Sequence, residues 1–438
     1  MNTMVTPPKS EMAAFPRVDY SAHPAYASTE YLCSLDDDRI GREVAGIDTA
    51  FRDLLMQADG KTEDVDVRFG EVVGRRIDAL QAYALGSGGL TGRIADYTVR
   101  AIEVAKQSLL DEWKFKVWSY SARYQPVLTP AEEGKLEVLK TDGVVCLDSR
   151  EDVVARLWEK MWWERKLLRQ QAARLPWGRC AMALDLHSPA AQLLQSALQR
   201  SRVFELAGAY SGCRMELLYA ALDHAHERQA WYKGCYADVG IDTTATAYMH
   251  LDADCDIVKV MLYLTDVEPE NGAFRFVRGS HRWVRSPFLI ALYKGFDCEQ
   301  DAYFERAQNG LDYEGGYYRP RFHLASHRQE LMCLPSSFRG STHFGDDVID
   351  GSPMSKRLLT DEHVFTGRAG TVVLFHGAAG IHRGSQVSRG ERWAIQIALR
   401  ASGAKVPRPY RSAKDGLARL RYYIRRLRHT LTVTSEVA

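Results

Sequence analysis

The sequence predicts an α+β fold class, a mainly β core carrying helices, and three observations predict it. Short apolar runs separated by Gly turns recur after Gly212, the clearest being Val258 to Leu264. From about Ser34 to Tyr120 the apolar residues instead fall at helical spacing, as in Ile102, Ala105, Leu109 and Trp113. The chain is 46% apolar with a net charge of +1, enough to bury a sizeable core.

Taken in order, residues 1–28 hold Pro7, Pro8, Pro16 and Pro24 among small polar residues and are expected to be disordered. Residues 29–130 form a helical extension, broken at Gly86-Ser87-Gly88-Gly89. The main domain is expected over 131–402. It opens with a turn at Thr141-Asp142-Gly143 and a short strand, Val144 to Leu147. Helical text follows from Arg150 to about Leu175 and from Pro189 to Gln199. Strands are then expected at 215–222, 258–264, 274–277, 371–375 and 393–399, a spacing that argues for a sandwich or barrel. Residues 284–362 have little strand character and many aromatics, Phe288, Tyr293, Phe296, Tyr303, Phe322, Phe338 and Phe344 among them. Such an insertion is a substrate lid or a structural element in its own right. In the basic tail, 403–438, Leu417, Leu420, Ile424, Leu427 and Leu431 make an apolar stripe with arginines around it. That pattern suits a terminal helix docked on the body. Its alternative is a peripheral contact with an anionic membrane through 405–431.

Composition removes several classes. Near-neutral charge leaves no nucleic-acid footprint. The eight Cys are scattered without a C-x-x-C pair, against a disulfide framework or zinc knuckle and in favour of a reducing cytoplasm. The first thirty residues lack an apolar signal core, and no apolar run reaches membrane-spanning length. G-x-S-x-G, Walker A and dinucleotide fingerprints are absent.

Two fragments carry chemistry. His250-Leu251-Asp252 precedes the apolar strand, and Gly380-Ile381-His382-Arg383-Gly384 precedes Arg392, ten residues after His382. Residues i and i+2 of a strand share a face, so His250 and Asp252 project together, and His382 can join them from a neighbouring strand. Two imidazoles and one carboxylate on one face of an octahedron suit Fe(II) and leave three positions open. A 2-oxo acid chelates two of these and O2 takes the third. Arg392 supplies a planar cation for the distal carboxylate of 2-oxoglutarate. Lys259 shares a strand face with Met261 and Tyr263; it is either a second carboxylate partner or a lysine reaching solvent. His224-Ala225-His226 reads as a surface hairpin pair, and His376 as part of the cavity wall.

Together with Lys259 to Asp266, Glu270-Asn271-Gly272, Gly279-Ser280-His281-Arg282 and Gly370 to Phe375, these fragments resemble the phytanoyl-CoA dioxygenase family across about 135–402. The resemblance implies a double-stranded β-helix (jelly-roll, cupin-like) and Fe(II)/2-oxoglutarate-dependent dioxygenase activity. It implies His250, Asp252 and His382 as iron ligands and Arg392 as the cosubstrate arginine. Ser385 lies near a family hydroxyl that can touch the cosubstrate. The sequence departs from the family where Arg278 replaces the usual Pro, in the long gap between Asp252 and His382, and in the N-terminal helices. The expected reaction is hydroxylation of an unactivated C–H bond in a small-molecule, natural-product or lipid-type substrate, with succinate and CO2 as coproducts. Asp252 argues against a halogenase. Desaturation, cyclisation and epimerisation remain alternatives, as do a membrane-surface oxygenase and a non-catalytic cupin-like binding protein. Oligomeric state and substrate identity are open at this stage.

Overall fold

The computed structural model describes residues 15, 17–58, 64–86, 88–147, 151–173, 179–227, 236–241, 244–252, 257–297, 322 and 325–403. The strands are β1 (Val144–Leu147), β2 (Arg179–Ala183), β3 (Met215–His226), β4 (Ile257–Tyr263), β5 (Phe274–Val277), β6 (Glu362–Phe365), β7 (Val372–Phe375), β8 (His382–Gly384) and β9 (Glu391–Ala401). They build a six-stranded sheet in the order β1-β7-β4-β9-β3-β2 and a three-stranded sheet in the order β6-β5-β8. All strand pairings within the two sheets are antiparallel.

Alternation along the strands puts one face of each sheet into a shared core. Met261, Tyr263, Val373, Phe375 and Ala394 come from the large sheet; Phe274, Phe276 and Phe365 come from the small one. Tyr263 ties the two layers: its hydroxyl donates to the Phe365 carbonyl (2.7 Å) and accepts from the Phe274 amide (3.1 Å). Two antiparallel sheets closed face to face around one core are the double-stranded β-helix predicted from the sequence. The entry to β1 is set locally. Thr129 and Glu132 form a capping box at the start of the Pro130–Asp142 helix, and Gly143 ends it at φ 80°.

A second apolar core lies beside the barrel. The helices Asp37–Met56, Arg75–Leu85 and Gly92–Ser121 contribute Ile40, Phe51, Leu80, Ile102, Leu109 and Trp113. The Pro287–Asp297 helix contributes Phe288, Tyr293 and Phe296 to the same core, and Phe322 and Phe338 join it. The contact is close enough that a Cβ on Gly295 would sit 2.7 Å from the Ala101 backbone. The N-terminal helices and the 284–362 insertion thus share one core. The aromatics named here stabilise that core rather than line an open lid. Tyr303 lies outside the described residues, as does the tail over 405–431.

Three sequence expectations need correction. Residues 17–28 are packed, not disordered: Tyr20, His23 and Tyr26 are 3%, 1% and 2% exposed. Hydrogen bonds hold them, since Tyr20 donates to Asp347 (3.0 Å) and Tyr26 to the Phe322 carbonyl (3.2 Å). His224 is buried, not on a surface hairpin, because β3 continues to His226 as an interior strand of the sheet. The His224 ring stacks on Trp393 at 3.9 Å and its Nε2 contacts Glu391 at 2.8 Å. Strands β2 and β6 were not expected as separate strands. Among the described residues no helix is long and apolar enough to cross a membrane.

Candidate metal centre

The chain from Met249 to Asp252 is extended and alternates. Met249 and Leu251 enter the helical core, which leaves His250 and Asp252 on the opposite face. Backbone bonds fix the segment on both sides. His250 and His382 exchange amide–carbonyl bonds of 3.0 and 3.1 Å, Asp252 N donates to Gly377 O (3.0 Å), and Leu251 N donates to Thr342 O (3.0 Å). One nitrogen or oxygen from each of His250, Asp252 and His382 lies within 4.8 Å of the others.

Local contacts set the tautomers. His250 Nδ1 lies 2.9 Å from the Tyr248 carbonyl, and His382 Nδ1 lies 3.0 Å from the Gly380 carbonyl. A carbonyl only accepts, so each Nδ1 carries the hydrogen and each Nε2 keeps its lone pair. Tyr248 delivers its carbonyl from φ 63°, a left-handed conformation costly for a residue with a side chain. Burial pushes the pKa of both histidines down, His250 well below its ordinary value, so both are neutral donors. Burial acts to raise the Asp252 carboxyl. The Lys259 ammonium at 2.6 Å outweighs burial and holds it well below the usual carboxylate range.

These residues fit a divalent metal. Asp252 Oδ2 is buried without a hydrogen-bond partner, 3.4 Å from His382 Nε2. A buried anionic oxygen facing an imidazole lone pair needs a cation between them. Space for that carboxylate depends on Gly377, where a Cβ would stand 1.9 Å from Asp252 Oδ2.

The other expected residues fall as follows. Lys259 lies on the inner face with Met261 and Tyr263, and its ammonium pairs with Asp252. Arg392 precedes Ala394 by two residues on β9, so it also faces the interior; it is 2% exposed and pairs with Asp223 at 2.8 Å. Burial acts to raise Asp223, but Arg179 and Arg392 hold it below its ordinary value. Ser385 Oγ accepts from Arg275 Nε (2.6 Å), and Arg275 alternates with the inward Phe274 and Phe276, so this contact is on the outer side of the small sheet. His376 bonds the Tyr210 hydroxyl (3.0 Å), and burial pushes its pKa down to about 3.

Sequence reasoning missed two neighbours. His343 stacks on His250 at 5.2 Å, nearly parallel, from a turn whose Ser341 and Thr342 hydrogen-bond Asp297. Nothing in its sequence context marks it. Asp223 has a legible signal, a lone carboxylate after Ala220-Ala221-Leu222 within a strand.

Residues 243–310 match the family model described as Phytanoyl-CoA dioxygenase (PhyH). No curated protein sequence matches the chain. Among solved structures, AviO1 from Streptomyces viridochromogenes Tue57 is 16% identical, covering 65% of this chain and 100% of its own, with a TM-score of 0.35. The epimerase SnoN, in complex with Fe3+, alpha ketoglutarate and nogalamycin RO, is also 16% identical, covering 65% and 92%, with a TM-score of 0.35. EctD from S. alaskensis with bound Fe is 14% identical, covering 66% and 84%, with a TM-score of 0.34. These scores are low, and the fold assignment stands on the sheet order and the shared core. The segment 243–310 that matches the phytanoyl-CoA dioxygenase family model contains His250 and Asp252, two of the three residues of the candidate site.

Proposed function

We propose that this oxygenase hydroxylates an unactivated C–H bond of a small-molecule, natural-product or lipid-type substrate, with His250, Asp252 and His382 as the iron ligands. The observation that carries the reading is the donor set: two imidazoles with free Nε2 lone pairs and a carboxylate with an unpartnered oxygen, whose ligand atoms lie within 4.8 Å of one another. Fe(II) held there would, with 2-oxoglutarate and O2, supply the oxidising power for a C–H bond, and the cosubstrate would leave as succinate and CO2.

The chain's own residues do the positioning. The Tyr248 and Gly380 carbonyls fix the rings by holding the Nδ1 hydrogens. Gly377 makes room for the Asp252 carboxylate, and Lys259 keeps it ionised. Arg392, inside the barrel, offers its guanidinium to the distal carboxylate of the cosubstrate. The Met249 and Leu251 contacts with the helical core hold the ligand strand and exclude water from its back. Three ligands leave room for desaturation, cyclisation or epimerisation on the same donor set, and product analysis separates these outcomes.

The test is an anaerobic titration of the metal-free protein with Fe(II) and then 2-oxoglutarate, following the visible iron-to-keto-acid band. The band is expected in the wild type, absent in His382→Ala, and shifted to higher cosubstrate in Arg392→Ala. A folded wild type that forms no band would leave the non-catalytic binding protein as the better reading.

A further inference from the structure

The interior of the barrel holds a charged cluster that the iron ligands do not use. Asp223 is fully buried on β3, opposite Ala394 of β9 and Ala181 of β2. One of its oxygens accepts from Arg179 Nε and the other from Arg392 Nη2, both at 2.8 Å; Gln396 Nε2 lies 3.4 Å from the second. Arg392 Nη1 also donates to the Gly272 carbonyl. Arg392 Nε is buried and has no hydrogen-bond partner among the described residues.

Charge and geometry lead the same way. An uncompensated ion is costly in this interior, and the buried Arg392 guanidinium is paired with the buried Asp223 carboxylate. Arg392 is anchored at both terminal nitrogens, one on Asp223 and one on Gly272, so its plane is fixed before any ligand arrives. The buried Nε–H is left to donate. A buried cationic donor without an acceptor calls for an anionic group.

We propose that Asp223 is a positioning residue for the cosubstrate: it aims Arg392 at the distal carboxylate of 2-oxoglutarate. The proposal rests on the oxygenase reading above. Asp223 touches neither metal nor cosubstrate in this scheme and acts through Arg392. Arg179, partly exposed on β2, holds the other oxygen of Asp223 and so fixes that carboxylate from the far side.

The experiment uses the full chain loaded with Fe(II) under anaerobic conditions. Two 2-oxo acids are compared by the visible charge-transfer band: 2-oxoglutarate, and pyruvate, which lacks the distal carboxylate. Asp223→Asn keeps the side-chain volume and removes the charge. The expected result is 2-oxoglutarate binding weakened by about tenfold or more, with Fe(II) affinity and pyruvate binding both close to wild type. Arg179→Gln, at a partly exposed position, guards against loss of folding in the first variant. It frees one side of the Asp223 carboxylate, so Arg392 is aimed less firmly, and is expected to weaken 2-oxoglutarate several-fold, again sparing pyruvate. Unchanged 2-oxoglutarate binding in either folded variant overturns the proposal, and so does an equal loss for both acids. If the wild type itself binds neither acid, the oxygenase reading falls first and the positioning role falls with it.

Discussion

Gly377→Ala isolates the role of the Asp252 carboxylate. Gly377 is not among the glycines at positive φ, so alanine is compatible with its backbone. The obstacle is contact: the new Cβ would lie 1.9 Å from Asp252 Oδ2, whereas carbon–oxygen contacts ordinarily start at about 3.3 Å. One of the two must retreat by about 1.4 Å, well beyond the roughly 0.5 Å tolerance of a preorganised site. The Gly377 backbone is held by the Asp252 amide, so the carboxylate is the part free to move. We expect Fe(II) affinity to fall by at least about 100-fold, equivalent to about 2.8 kcal/mol. Anaerobic equilibrium dialysis measures it, with thermal unfolding of the metal-free protein as the check on folding. Gly384→Ala is the control, because nothing lies within 4 Å of its Cβ, and it should bind metal normally. Wild-type affinity in a folded Gly377→Ala protein would refute the assignment of Asp252 as a ligand.

Other perturbations have equally definite outcomes. Gly295→Ala forces a Cβ to 2.7 Å from the Ala101 backbone and should destabilise the protein by about 1–3 kcal/mol in urea unfolding; no change would mean the two helices separate easily. Arg392→Ala strips a buried partner from Asp223 and should cost about 3 kcal/mol of stability on top of its effect on cosubstrate, and a neutral result would deny the buried pair. Stability of the metal-free protein should depend on pH through His376, His250 and His382, whose folded pKa values are all lowered, His376 to about 3. Between the folded value and the unfolded value of about 6.5 the unfolded chain binds more protons, so stability is complete above about pH 6.5. It is lost as pH falls, by up to about 1.4 kcal/mol per unit for each group. His376→Gln should flatten the slope measured by urea unfolding between pH 7 and 5, and an unchanged slope would remove His376 from the account.

Most of the strands and the candidate donor set were legible because their signals are local. A run such as Val258 to Leu264 is β-branched and apolar whatever surrounds it, and His250-Leu251-Asp252 declares its shared face through the two-residue period of a strand. What failed was long-range. Tyr20, His23 and Tyr26 sit in a proline-containing segment of low complexity, yet acceptors at Phe322, Arg339 and Asp347, about three hundred residues away, hold it in place. His224 was misjudged because its burial depends on the stacked Trp393 of β9, a neighbour that only sheet order reveals.

The helical block shows why such long-range partners bear on function. Read alone, the N-terminal helices carry no chemistry and the 284–362 insertion looks like a loop over a pocket. Their shared core reaches Met249, Leu251 and Ile381, residues that alternate with or adjoin all three candidate iron ligands. A strand that presents His250 and Asp252 on one face must bury its other face, and the barrel core already occupies the inner side. The helices supply that second surface. The Leu251 amide bond to the Thr342 carbonyl fixes the ligand strand to the insertion itself, beside the turn that stacks His343 on His250. Ligand geometry in this chain is therefore coupled to the packing of elements far from it in sequence. A cavity cut into that core, for instance by Phe288→Ala, should loosen metal binding as well as lower stability. The described part of the long gap between Asp252 and His382 thus serves as the ligand strand's outer wall.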